Sequence, residues 1–359
     1  MRHFRRRPIP QAAWVQARCF KLHAMDSLTQ IALGSAVGVA VMGSRTAVWK
    51  AALWGGVAGT LPDLDAFIDH GDAILNMTRH RAESHALFFL TLAAPPLAWL
   101  VARLHGEAAL FKRWWLALWL VLITHPLLDA MTVYGTQLLQ PFTSYPFAVG
   151  SVFIIDPLYT VPLIVGVVAA LRLKSSRGLR WNTAALLLST LYLGWSVAAQ
   201  QHATSMARNS LQTEGIAASA LLVTPAPFNT LLWRLVATTP TQYFEGHYSL
   251  LDASPRIRWT AHDKGAALIT RYGQEPSVAR IAAFSRGFFR LSESGDHLFV
   301  TDLRMGQEPV YTFHFDLGKH TARALQSHEP TLQSQRPDLA TALPWLWRRM
   351  WGEALPSPR

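Results

Sequence analysis

Up to about residue 200 the chain alternates long apolar runs with short polar breaks, and after that its character changes. Six apolar segments stand out, at roughly 28–43, 47–62, 84–104, 113–131, 152–171 and 181–200. The last four approach the ~20 residues a helix needs to cross a bilayer. The first two are shorter and rich in small residues. Gly34 and Gly38 are four apart, as are Gly55 and Gly59, so each pair lies on one helix face and lets a neighbouring backbone come close. This pattern predicts a tightly packed helical hairpin, spanning or partly re-entrant, that opens a bundle of about six transmembrane helices.

Residues 201–222 are mixed and read as helical. Short runs of aromatic and β-branched residues follow at 231–239, 243–251, 287–292, 297–305 and 310–317. Glu293-Ser294-Gly295-Asp296 supplies a hairpin turn between two of them. Residues 344–355 place tryptophans beside arginines, which suits a helix at a membrane interface or one docked on a sheet. The expected fold class is therefore a mainly α membrane protein. About six transmembrane helices over 25–200 precede an extramembrane α+β domain over 201–359.

Composition agrees with this split. Half of the 359 residues are hydrophobic and 15% are charged. The mean hydropathy of +0.16 is too low for membrane throughout and too high for a purely soluble chain. A net charge of +11 would suggest nucleic acid in a soluble protein. Here nine Lys and Arg flank the first, third and fifth connections of the apolar part. Only Arg79 and Arg81 lie in the second, and none falls between 132 and 151. That asymmetry predicts a multi-pass inner-membrane protein whose partner is the lipid bilayer and not nucleic acid, with a periplasmic C-terminal domain. Residues 1–24 are basic and lack the apolar core of a signal peptide. Met25 opens a more natural start, so 1–24 reads as an upstream extension or a basic tail.

The chemistry concentrates where apolar segments end. Asp63 and Asp65 follow the second segment, His80 and His85 precede or open the third, and His125 and Asp129 lie near the end of the fourth. The expected topology brings all six to one membrane face. Each pair has a plain structural reading: a hydrogen bond for His125 and Asp129, helix capping for Asp63 and Asp65, and a polar boundary for His80 and His85. Their coincidence on one face argues for a metal site. Cys19 is the only cysteine, so any metal must use imidazole and carboxylate. That donor set suits a divalent ion, zinc first, with manganese, iron or magnesium as alternatives. Arg81 could hold an anionic substrate group, and Glu83 could act as a general base.

In order, MDSLTQIALG, LPDLD, HRxxSH and HPLLDAxTxYGTQLLxPF resemble the YbcI/YdjM-type bacterial inner-membrane proteins, described as membrane-bound metal-dependent hydrolases. The resemblance covers about residues 25–200, and TPAPFNTLLWR with FEGHYSLLD looks like the longer members. It implies that Asp63, Asp65, His80, His85, His125 and Asp129 are the metal-site residues, with Arg81 beside them. The chain departs in two places. Gln30 stands where shorter members have a histidine, and Ala82-Glu83-Ser84 replaces the usual Gly-x-Thr. The expected function is hydrolysis by a metal-activated water, on an ester or phosphoester, lipid-linked substrates included, at the outer face of the inner membrane. The alternative is a non-catalytic membrane protein that binds or carries a metal ion or proton and recognises a partner through its outer domain.

Overall fold

The computed structural model describes residues 11–254, 256–320, 325–333 and 338–357, with side chains from residue 27 onward. The basic stretch 1–10 lies outside the described residues. The backbone of 11–24 continues the first helix toward the N-terminus.

The first part is helical: α1 (Gln11–Met42), α2 (Val48–Thr60), α3 (Ala73–Arg79), α4 (Leu87–Leu104), α5 (Phe111–Ala130), α6 (Pro157–Leu173) and α7 (Ser176–Thr213). The expectation of about six transmembrane helices is overturned. Among the described residues one helix, α4, is long and apolar enough to cross a membrane, with a mean hydropathy of 1.7 over 18 residues. The physical reasons are length and polarity. At 1.5 Å per residue, the 13 residues of α2 reach only about 20 Å, against a hydrocarbon core of ~30 Å. The apolar stretches Ser27–Met42 and Pro157–Leu173 also fall short. Within its 20 residues α5 carries Lys112, Arg113, His125 and Asp129. The loop-charge topology drawn from six crossings loses its basis with them.

α1 and α2 form the close hairpin that the glycines imply. A Cβ on Gly34 would sit 2.2 Å from the Gly55 carbonyl oxygen, and one on Gly38 would sit 2.6 Å from that of Ala51. No side chain larger than hydrogen fits at these crossings, so the two backbones pack directly. One consequence is functional: Gln30 and the Gly59 carbonyl arrive together beside α5. Gly59 itself is so close to α1 that its Cβ would lie 2.7 Å from the Gln30 carbonyl oxygen.

The remainder is the expected α+β part, with more strands than the sequence suggested. β1 (Ala220–Pro225), β2 (Leu232–Thr238), β3 (Gln242–Ser249) and β4 (Thr260–Asp263) form an antiparallel meander. β5 (Phe289–Ser294), β6 (His297–Asp302), β9 (His314–His320) and β10 (Leu325–Leu332) form a second sheet in the order β10-β9-β6-β5, and β7 (Gly306–Gln307) pairs with β8 (Val310–Tyr311). α8 (Ala266–Tyr272) and α9 (Pro276–Phe284) separate the sheets in sequence, and α10 (Leu339–Met350) follows them.

α7 joins the two parts. Its C-terminal half turns Ala199, Ala203 and Ala207, spaced by four, onto Val223, Trp233 and Tyr248 of the first sheet. The second sheet packs Leu298, Val300, Phe315 and Leu317 against Ile74, Met77 and Tyr134 of the helical part. The sheets therefore cover the end of the helical part where the polar residues gather.

Candidate metal centre

The HxxxD spacing on α5 does what an i, i+4 pair does: it places His125 and Asp129 on one face, with His125 Nε2 3.4 Å from Asp129 Oδ2. A 3-10 turn at Pro62–Phe67 leaves the end of α2 and carries Asp63 and Asp65. A second, Glu83–His85, ends just before α4 and delivers His85. Asp63, His85, His125 and Asp129 converge so that one donor atom of each lies within 4.8 Å of the others. His85 and His125 are fully enclosed, at 0% and 1% exposure.

The distances are those of a ligand set. His85 Nε2 is 3.1 Å from His125 Nε2, 3.2 Å from Asp129 Oδ2 and 3.4 Å from Asp63 Oδ1. His125 Nε2 is 3.4 Å from Asp63 Oδ1. With the α5 pair, five of the six edges between four donors are accounted for. A regular tetrahedron with ligands at ~2.0–2.1 Å from its centre has edges of roughly 3.3–3.4 Å.

Hydrogen bonding on the far side of each ring sets which nitrogen carries the proton. His125 Nδ1 lies 2.6 Å from the Gly59 carbonyl oxygen, which can only accept, so Nδ1 is protonated. Ser84 Oγ donates to Asp65 Oδ2 at 2.6 Å and so accepts from His85 Nδ1 at 2.8 Å. In both neutral rings Nε2 then bears a lone pair. Two such lone pairs and two carboxylate oxygens face one another, and Asp63 Oδ2 is buried without a hydrogen-bond partner. Ring nitrogens backed by a carbonyl or a hydroxyl–carboxylate relay are the usual support of metal-bound histidines.

Asp65 and His80 stand behind these four. Asp65 accepts His80 Nδ1 at 2.8 Å, the Arg81 backbone N–H at 3.0 Å and Ser84 Oγ. Burial would raise its pKa, but hydrogen bonds from His80 and His85 hold it well below the usual carboxylate range. Arg81 is buried, with φ of 62°, a left-handed conformation that costs a non-glycine residue of order 1–3 kcal/mol. The turn directs its Nε to Asp129 Oδ2 at 3.3 Å and its Nη1 to Thr132 Oγ1 at 3.2 Å, while the guanidinium lies over the Tyr134 ring. The guanidinium thus engages the protein's own carboxylate. Glu83 is exposed and is not part of the cluster.

Sequence reasoning passed over Gln30, which it met only as a departure from the family pattern. Gln30 Nε2 donates to Asp129 Oδ1 at 2.9 Å. It occupies the place of the expected histidine, and that correspondence was the available signal. Ser84 is the serine of HRxxSH but its relay role had no signal, and neither had the Gly59 carbonyl, since a relay atom is recognised only by what it touches.

The model of the YdjM inner membrane protein family matches residues 25–203, the helical part that holds every residue of this cluster. Residues 25–203 belong to the YdjM inner membrane protein family. Over a longer reach the chain is similar to the uncharacterized protein YfhP of Bacillus subtilis (strain 168), with 24% identity over 309 residues that cover 80% of this chain and 89% of that one. No solved structure matches the chain. The YdjM match makes this an inner membrane protein, and within its YdjM part the clustered residues could hold a metal ion.

Proposed function

We propose that Asp63, His85, His125 and Asp129 bind one divalent metal ion, zinc being the best fit, and that the protein is a membrane-bound hydrolase of an ester or phosphoester, lipid-linked substrates included. The observation that carries the metal is the set of four converging donor atoms 3.1–3.4 Å apart, with both rings backed at Nδ1. With the imidazoles neutral, Asp63, Asp65 and Asp129 against Arg81 leave a net charge of −2, which a divalent cation neutralises. The hydrolase reading rests on the chemistry such an ion supplies when bound, acidification of a water and polarisation of an ester oxygen. The chain's own residues have supporting roles. Asp65 with Ser84, and the Gly59 carbonyl, hold the two rings in the ligating tautomer. Arg81 and Gln30 position Asp129. Glu83, exposed on the turn that ends at His85, is the candidate for proton transfer with solvent.

For the side of the membrane, α4 gives the support. Arg103 lies in its last turn and Lys112 and Arg113 follow, so the positive-inside rule puts that end in the cytoplasm. The His85 end and the sheets packed near it then face outward, with the C-terminal domain periplasmic.

Metal analysis of the purified full chain, paired with hydrolysis assays, tests both halves. One tightly held ion per chain is expected in the wild type, and none at this site in His125→Ala, which should also lose hydrolysis. Wild-type protein without a tight ion would sink the metal centre. A tight ion without turnover across ester and phosphoester panels would sink the hydrolase and leave the centre standing.

A further inference from the structure

A second cluster of metal-ligating side chains lies on the outer face of the second sheet. β6, β9 and β10 are neighbours, and each contributes one residue: His297, Asp316 and His328. On β6 and β9 Leu298, Val300, Phe315 and Leu317 point into the core. Because side chains alternate along a strand, His297 and Asp316 stand on the opposite face.

Regular pairing would not gather these three. Asp316 is opposite Phe299 on one side and Thr331 on the other. The ladder slips on both sides of β9 at this level, between Leu298 and Phe299 and between Ser327 and Thr331. Gly318 stands at the slip with φ of +116°, where a Cβ would lie 2.4 Å from the Gln326 carbonyl oxygen. Bulges of this kind re-aim side chains, and this one needs glycine. The result brings His297 Nδ1 to 2.9 and 2.8 Å from the two Asp316 oxygens, and His328 Nε2 to 3.5 Å from Asp316 Oδ1. His328 Nδ1 lies 2.6 Å from the Glu329 carbonyl oxygen and must donate to it. In the neutral ring its Nε2 then turns a lone pair toward a carboxylate oxygen, an arrangement that favours a cation between them.

We propose that His297, Asp316 and His328 form a second metal site, open to solvent, that takes one divalent ion of the zinc class and leaves its remaining positions to water. Two imidazoles with one carboxylate select a borderline transition metal over magnesium or calcium. Binding displaces the proton that His297 Nδ1 shares with Asp316, since a ligating imidazole must be neutral. The site uses no residue of the buried cluster and stands whether or not that cluster is a metal centre.

The test is Zn²⁺ titration of the full-length, detergent-solubilised protein after metal stripping, with Co²⁺ absorbance as the spectroscopic readout. Wild type is expected to bind a second, weaker equivalent. His328→Ala should weaken that equivalent by ~10-fold or more, as even the loss of an outer partner of a metal ligand typically does. Because His328 is exposed, its melting temperature should not move. In a His85→Ala/His125→Ala background one equivalent should persist, and Asp316→Asn should remove it. A His85→Ala/His125→Ala protein that binds no equivalent would overturn the proposal, as would binding indifferent to both His328→Ala and Asp316→Asn.

Discussion

Two enclosed clusters of charge in this molecule are arranged in opposite ways. In the sheets, Arg234 and Glu245 pair diagonally across neighbouring strands, one charge against one. Glu245 Oε1 also accepts the Tyr311 hydroxyl at 2.7 Å, its Oε2 accepts the Glu308 backbone N–H at 3.1 Å, and Arg234 Nη1 donates to the Leu303 carbonyl at 2.9 Å. Burial would raise the Glu245 pKa, yet Arg234 and Tyr311 bring it down to about 2. Apart from Arg234 Nε, the donors of this pair meet acceptors, and the charge closes. Around Asp129 the opposite holds: carboxylates outnumber the guanidinium, and with both imidazoles neutral acceptor faces acceptor across 3.1–3.4 Å. A buried network that balances itself is structural. One that leaves the same sign of lone pair pointing inward is built around a missing positive charge.

The largest effect that could break this contrast is on stability. Glu245→Ala leaves Arg234 charged and buried, and should cost about 3–5 kcal/mol in denaturant unfolding of the C-terminal domain, with tight metal unchanged. A loss below ~1 kcal/mol, or a simultaneous loss of metal, would erase the distinction.

Next is an acid effect confined to the sheet network. His247 neighbours Glu245, and burial, with Arg234 and Arg349 nearby, pushes its pKa down to about 4 from 6.5. Between those values the unfolded chain binds the proton and the folded chain does not. Stability therefore falls as pH drops from about 6.5 to 4, by roughly 3 kcal/mol in all. Unfolding followed across that window should show His247→Gln with a flatter slope. Equal slopes in the two proteins would remove His247 as the cause.

The smallest effect belongs to the helical cluster. Saturating metal at ~100 times its Kd should add about 2.7 kcal/mol to wild-type stability and nothing at that site to His125→Ala. Thermal unfolding with and without chelator measures it. A chelator effect of equal size in both proteins would place the stabilising ion elsewhere.

Much of the helical cluster was legible in the chain. HxxxD on a helix has one geometry, so His125 and Asp129 could be paired from spacing alone. LPDLD ending an apolar run, and HRxxSH opening another, marked the remaining acids and histidines. The close approach of α1 and α2 was likewise present in the glycine spacing. In the sheets, β2, β3, β5 and β6 followed from their aromatic and β-branched runs, whereas β10 (LQSHEPTL) carries no apolar alternation and stays hidden until β9 pairs with it.

What the sequence determined by itself was local: which segments are helical or extended, where glycine lets backbones touch, and which residue types could ligate. Tertiary structure decided the rest. Hydropathy could not separate helices that cross a membrane from shorter apolar helices that bury their faces against one another, because both remove apolar surface from water. Nor could spacing rank six candidate ligands. Four converge and two stand behind them because the 3-10 turns at Pro62–Phe67 and Glu83–His85, with Arg81 held in a left-handed conformation, set which atoms meet. LPDLD and HRxxSH supplied two acids and two histidines, and the fold assigned Asp63 and His85 to face the other donors while Asp65 and His80 turn to hold them.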